Sequence, residues 1–262
     1  GNDTLNGGLG NDRLVGGAGI DTAVFSSKAN RINLGTTKVQ TTGDGNDILT
    51  GIENVNGGAG NDIITGNNSA NTLNGGNGND TLNGGLGNDR LVGGAGIDTA
   101  VFSSRNNRIN LSSTRRQNTI DGRDILTGIE NVNGGAGNDI ITGNGSANTL
   151  NGGNGHDILN GGLGNDRLVG GAGIDTAVFS SRNNRINLAS TRRQNTRDGR
   201  DILTGIENVN GGAGNDIITG NGSANTLNGG NGHDTINGGL GNDRLVGGAG
   251  IDTAVFSSRN NR

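Results

Sequence analysis

The chain has 262 residues, 56 of them glycine, no cysteine, proline or methionine, and a formal net charge of −4. Glycine and the abundant asparagine disfavour helix interiors, and glycines without a three-residue period and without proline exclude a collagen triple helix. The lack of cysteine removes disulfides and thiol chemistry, and no apolar run reaches membrane-spanning length.

Taken from the start, residues 1–6 form a partial turn and residues 7–15 read GGLGNDRLV. The pattern is glycine-glycine-x-glycine-x-aspartate-x-aliphatic-x. It returns at 57–65 (GGAGNDIIT) and at 84–92 (GGLGNDRLV). Its first six residues predict a tight turn presenting backbone carbonyls and one carboxylate. The last three predict a short strand whose aliphatic side chain points inward. Such nonapeptides mark calcium-binding β-helix repeats. Hydrophobic content is only 28%, as in a disordered chain. A disordered chain has no reason to place Leu, Ile or Val once every nine residues.

Strand centres are predicted at Leu14, Val24, residues 32–34, Leu49, Val55, Ile64, Leu73 and Leu82, and Leu91 opens the next set. The segment from Gly1 returns at Gly78, Gly155 and Gly232, so the units are 1–77, 78–154, 155–231 and a partial 232–262. The expectation is one continuous solenoid over 1–262, a window on a longer repetitive protein. Two strands per coil and eight per unit predict successive units in phase, with each surface feature on one side. The stretch 26–50, matched by 103–127 and 180–204, lacks most of the glycine pattern and holds most of the basic residues. It is too short to build a core of its own and reads as an excursion from a coil.

Twenty-one of the 24 acidic residues are Asp, and eighteen stand at position six of a turn or a near copy. Two turns per coil stack positions 18 residues apart. Asp62, Asp80 and Asp98 form one column, with Asn71 and Asp89 on the other edge. The sets recur as Asp139, Asp157, Asp175 with Asn148 and Asp166, and as Asp216, Asp234, Asp252 with Asn225 and Asp243. Stacked carboxylates repel, and a hard cation between turns removes the repulsion. Calcium accepts six to eight oxygens, carbonyls included; magnesium wants a stricter octahedron and zinc wants His or Cys. The thin core also calls for a metal, since few aliphatic side chains per coil oppose the entropy of so many glycines.

The predicted metal ligands are therefore Asp12, Asp21, Asp47, Asp62, Asp80, Asp89, Asp98, Asp124, Asp139, Asp157, Asp166, Asp175, Asp201, Asp216, Asp234, Asp243 and Asp252. Asn71, Asn148 and Asn225 interrupt the pattern at weaker or absent sites. Asp44, Asp121 and Asp198 precede the irregular turns and are expected in solvent. Glu53, Glu130 and Glu207, in a shortened GIENV turn, are expected to act structurally near a strand. His156 and His233 replace an asparagine at position five and are expected as exposed turn residues. The basic excursion lacks aromatic platforms, which argues for solvated charge or an inter-rod contact over nucleic acid.

The turns GGLGNDRLV and GGNGNDTLN, followed by AGIDTAVFS, RINL, DILTGIENVNG and NDIITGN, closely resemble the repeats-in-toxin (RTX) calcium-binding family. The resemblance covers essentially the whole chain. It implies an all-β fold, a right-handed parallel β-roll in which the motif aspartates and turn carbonyls bind calcium between coils. It also implies type I export and folding outside the cell.

No Ser/His/Asp set, HExxH helix or Cys nucleophile is present, so no enzymatic activity is expected. Near-identical units suit architecture. The expected role is an extracellular, calcium-binding structural segment of a bacterial surface layer, fibre or adhesin stalk, self-associating without membrane insertion. The alternative is a calcium-dependent secretion and folding module of a larger toxin or hydrolase.

Overall fold

The structure, a computed structural model, describes residues 1–26, 28–103, 105–119, 121–180 and 182–256. The end of the partial fourth unit, 257–262, lies outside the described residues. The described residues contain strands and turns and no helix. The chain divides into two compact units, Gly1–Asn133 and Gly134–Arg262, a division that does not follow the 77-residue sequence period.

The first unit begins with β1 (Thr4–Leu5), β2 (Arg13–Val15), β3 (Thr22–Val24), β4 (Arg31–Asn33), β5 (Gln40–Thr41) and β6 (Asn46–Thr50). It continues with β7 (Asn54–Ala59), β8 (Ile63–Asn67), β9 (Thr72–Asn77), β10 (Thr81–Gly85) and β11 (Arg90–Ala95). It ends with β12 (Thr99–Val101), β13 (Arg108–Asn110), β14 (Gln117–Asn118), β15 (Arg123–Thr127) and β16 (Asn131–Asn133). The order β1-β3-β7-β9-β11-β15 makes one parallel sheet, with β14 antiparallel on its edge. Across the core lie β4-β8-β10-β12-β16 and β2-β6, the latter closed by antiparallel β5.

Burial alternates along each strand and the aliphatic residue at position eight of the nonapeptide points inward, so identical aliphatic positions stack. Val55, Leu73, Leu91 and Leu126 are in register on one side, and Ile32, Ile64, Leu82, Ala100 and Val132 on the other. All are buried. These strands build the parallel β-roll that the resemblance implies.

The excursion occupies places in the sheets, as expected, but its path differs from a simple coil. The strands β4, β5 and β6 follow one another on the same side of the core, and β5 is a strand the sequence reading did not place. Its Gln40 amide acts as a rung of backbone: Oε1 accepts the Asn33 N–H at 2.7 Å and Nε2 donates to the Asn33 carbonyl at 3.1 Å. These same-side strands change the parity. The strand β3 belongs to the first sheet, while its counterpart 77 residues on, β12, belongs to the opposite one. The expectation of in-phase units is therefore overturned, and the excursion hairpins β5–β6 and β14–β15 lie on opposite sides.

The second unit opens with β17 (Ile140–Thr142), β18 (Thr149–Asn154), β19 (Ile158–Asn160), β20 (Arg167–Ala172) and β21 (Thr176–Val178). Then come β22 (Arg185–Asn187), β23 (Gln194–Asn195), β24 (Arg200–Thr204), β25 (Asn208–Asn210) and β26 (Ile217–Thr219). The last are β27 (Thr226–Asn231), β28 (Thr235–Asn237), β29 (Arg244–Ala249) and β30 (Thr253–Val255). One sheet runs β17-β19-β21-β25-β27-β29; opposite it lie β22-β26-β28-β30 and β18-β20-β24, with antiparallel β23 at the edge. The parity shift recurs, since β21 and its counterpart β30 stand in different sheets.

Candidate metal centre

Each nonapeptide turn delivers its aspartate to the end of a strand, where it is held by the coil before it. The N–H of Asp62 donates to Asp80 Oδ1 at 2.7 Å, and the N–H of Asp80 donates to Asp98 Oδ1 at 2.8 Å. On the other edge Asn71 N–H donates to Asp89 Oδ1 and Asp89 N–H to Asp124 Oδ1, both at 2.8 Å. The second unit repeats the ladder from Asp139 through Asp157 to Asp175, from Asn148 through Asp166 to Asp201, and from Asp216 through Asp234 to Asp252. Asp12 bonds Asp47 at 2.9 Å, Asp3 bonds Asp21 at 2.7 Å, and Asn225 bonds Asp243 at 3.0 Å. The columns drawn from the 18-residue spacing are thus brought together.

Two kinds of rung complete the columns: glutamates, in the structural role expected of them, and asparagines that the sequence analysis did not single out. Glu53 Oε2 accepts the Asp21 N–H at 2.9 Å, and Glu130 and Glu207 do the same for Asp98 and Asp175. The longer side chain spans the shortened GIENV turn and keeps the column continuous. Asn30 and Asn184 begin columns: their N–H groups donate to Asp62 and Asp216 Oδ1 at 2.7 Å. The repeated Asn before Arg-Ile-Asn was the only signal for them.

Three expectations need correction or refinement. Asp44, Asp121 and Asp198 are buried, not solvated. Asp44 accepts the hydroxyl of Ser26, and Asp121 and Asp198 accept those of Ser103 and Ser180, each with an exposed Arg (Arg105 at 3.9 Å, Arg182 at 3.8 Å) outside. Asn71 turns its Oδ1 to its own turn, accepting the Asn67 N–H at 2.8 Å, while Nδ2 donates to the Glu53 carbonyl. Asn148 and Asn225 likewise accept from Asn144 and Asn221. His156 and His233 are exposed, and each Nδ1 accepts a main-chain N–H, from Ile174 and Ile251 at 2.9 Å.

The ladder uses one carboxylate oxygen and leaves the other. Oδ2 of Asp12, Asp21, Asp62, Asp80, Asp89 and Asp98 is buried without a hydrogen-bond partner, as is Oδ2 of Asp157, Asp166, Asp175, Asp216 and Asp234. An unpaired buried carboxylate oxygen is costly. Burial pushes Asp80 and Asp216 up to about 6 and Asp89 and Asp166 up to about 7, against the backbone hydrogen bonds that lower them. Burial also raises Asp62, Asp98, Asp157 and Asp175.

The glycines shape the space beside these atoms. A Cβ on Gly57 would lie 2.2 Å from Asp62 Oδ2 and 2.7 Å from the Gly75 carbonyl oxygen. Only glycine leaves that hollow, into which a carboxylate of one turn and a carbonyl of the next both face. The third glycine needs its freedom for a different reason. Gly78 has φ +134°, and a Cβ there would sit 1.7 Å from the Gly60 carbonyl oxygen.

Among the described residues no three His, Cys, Asp or Glu side chains converge. The donor set of one carboxylate plus carbonyls per turn fits calcium, a hard cation that accepts backbone oxygen, and fits zinc poorly. The family model for the RTX calcium-binding nonapeptide repeat matches residues 1–23, 41–82, 65–100, 124–159, 142–177, 201–236 and 219–254, well over half of the chain. The chain belongs to the RTX calcium-binding nonapeptide repeat family. The unmatched stretches, 24–40, 101–123, 178–200 and 255–262, take in much of each excursion, where the RTX pattern lapses, and the last residues of the sequence. No curated protein matches the chain.

In an RTX turn of this chain, Asp62, Asp80 or Asp98 would hold the ion through Oδ2, aided by carbonyls of neighbouring glycines. Bound calcium would supply the positive charge that the buried carboxylates lack. The chain's part is to fix each carboxylate by the N–H ladder and to keep side chains out of the hollow.

Proposed function

We propose that this chain is a calcium-dependent structural segment of an extracellular bacterial rod, such as a surface layer, fibre or adhesin stalk, and that it has no enzymatic role. The observation that carries the reading is the repeated, buried and unpartnered Oδ2, which makes an ordered roll depend on an external cation. Near-identical units support architecture over a single active site. The described residues contain no helix long and apolar enough to cross a membrane.

Self-association is part of the proposal, with its geometry revised. The two excursions of the first unit lie on opposite sides and offer no single basic face, so lateral packing would use both. That alternation also favours a second reading, in which the roll is the secretion and folding module of a larger toxin or hydrolase. Circular dichroism in chelator and in millimolar calcium tests calcium dependence: β structure should require the ion. Electron microscopy and sedimentation of the calcium-loaded protein at low and high salt separate the two roles. Rods or fibres support the structural reading; monomers under every condition leave the module.

A further inference from the structure

Position one of the nonapeptide is glycine in each of the turns whose Asp Oδ2 lacks a partner. Three turns have threonine there: Thr42, Thr119 and Thr196, five residues before Asp47, Asp124 and Asp201. The substitution falls at the hollow. A Cβ on Gly75 would lie 2.2 Å from Asp80 Oδ2, and threonine places a real side chain at the same point of its own turn. Thr119 Oγ1 donates to Asp124 Oδ2 at 2.6 Å and Thr42 Oγ1 to Asp47 Oδ2 at 2.5 Å; Thr196 makes the same bond to Asp201. Thr119 and Thr196 have no exposed surface. The other oxygen of each carboxylate stays in the ladder, accepting from Asp12, Asp89 and Asp166. Both oxygens are therefore satisfied by protein donors.

We infer that Thr42, Thr119 and Thr196 take the place of the cation, so that the turns at Asp47, Asp124 and Asp201 hold no calcium. A hydroxyl proton fills the lone pair that other turns leave open, and its methyl and Cβ fill the space. The assignment of these three aspartates as ligands is thereby reversed. Each turn closes an excursion hairpin, β5–β6, β14–β15 or β23–β24, so every excursion ends on a cation-free joint. The joint forms from residues five apart in sequence, and Thr119 N–H donates to the Gly122 carbonyl at 3.2 Å within it. The inference rests on the calcium reading above.

The test is the number of calcium ions held by the whole chain at saturating calcium, from equilibrium dialysis with elemental analysis. Asp124→Asn should leave the count unchanged, while Asp80→Asn should lower it. Thr119→Gly, which puts glycine at position one, should raise the count by one, and Thr119→Ser, which keeps the hydroxyl, should not. If Thr119→Gly fails to fold, the isosteric pair Asp124→Asn and Asp80→Asn still decides. An equal loss from both aspartate variants overturns the inference and leaves the calcium reading standing. An unsubstituted chain that binds no calcium overturns the calcium reading and this inference with it.

Discussion

Asp80 stands between two coils: its N–H donates to Asp98 Oδ1 at 2.8 Å, and its own Oδ1 accepts the N–H of Asp62 at 2.7 Å. One residue thus acts as donor, acceptor and candidate ligand. Asp80→Asn retains an acceptor oxygen for the ladder and removes the charge. Asp80→Ala removes both. In saturating calcium the alanine variant should be less stable than the asparagine variant by about 1–3 kcal/mol, the cost of leaving the Asp62 N–H without its acceptor. Thermal melts in calcium check the order. Equal melting temperatures would show that the ladder bond contributes nothing.

The buried carboxylates give the calcium-free chain an inverted pH response. Asp89 and Asp166 are raised to about 7, and Asp80 and Asp216 to about 6, from an ordinary 3.8. A raised carboxylate favours the protonated form in the folded state. Its contribution to stability is fully present below 3.8 and lost as pH rises through 6 and then 7. In chelator the melting temperature should therefore fall between about pH 4 and pH 7, the span from the ordinary to the raised values of these groups. With calcium the trend should reverse, because the ligands must be deprotonated to bind. Circular dichroism melts at each pH, with and without calcium, measure both. A chelated protein that gains stability with rising pH would contradict the burial assigned to these aspartates.

The hollow beside each ligand tolerates no side chain unless it brings a donor. Gly75→Ala would place a methyl 2.2 Å from Asp80 Oδ2. The variant should lose calcium at that turn and should need more calcium to reach half of its β signal. A calcium titration followed by circular dichroism reads the midpoint. Gly145, whose Cβ would meet nothing within 4 Å, is the control position, and Gly145→Ala should leave the midpoint where it is.

The Ser103–Asp121 contact is a part-buried hydrogen bond from an exposed serine to a buried carboxylate, with exposed Arg105 at 3.9 Å. Ser103→Ala should cost about 1–3 kcal/mol, because it strips a donor from a buried carboxylate. Arg105→Ala should cost about 0–1 kcal/mol, as solvent screens such a pair. Denaturant unfolding at constant calcium separates the two. A larger loss from Arg105→Ala would reverse the ranking.

Much of the roll is legible from local chemistry. A nine-residue period with one inward aliphatic and one position-six aspartate sets a strand, a turn and a stack by itself, because each coil repeats the last. Leu73 over Leu91 and Asp62 over Asp80 follow from counting 18 residues. The roles of the excursion do not follow from counting. Its strands pair with partners 35 residues away, as Leu14 does with Leu49, and a side-chain amide from Gln40 completes the sheet. Only that path puts β4, β5 and β6 on one side and moves β12 to the opposite sheet from β3. Burial of Asp121 beside Ser103 is decided the same way. Asp121 meets the Ser103 hydroxyl because the three-dimensional route of the hairpin brings residues 18 apart together, whereas the hydroxyl that closes Asp124 is local, from Thr119 five residues before it.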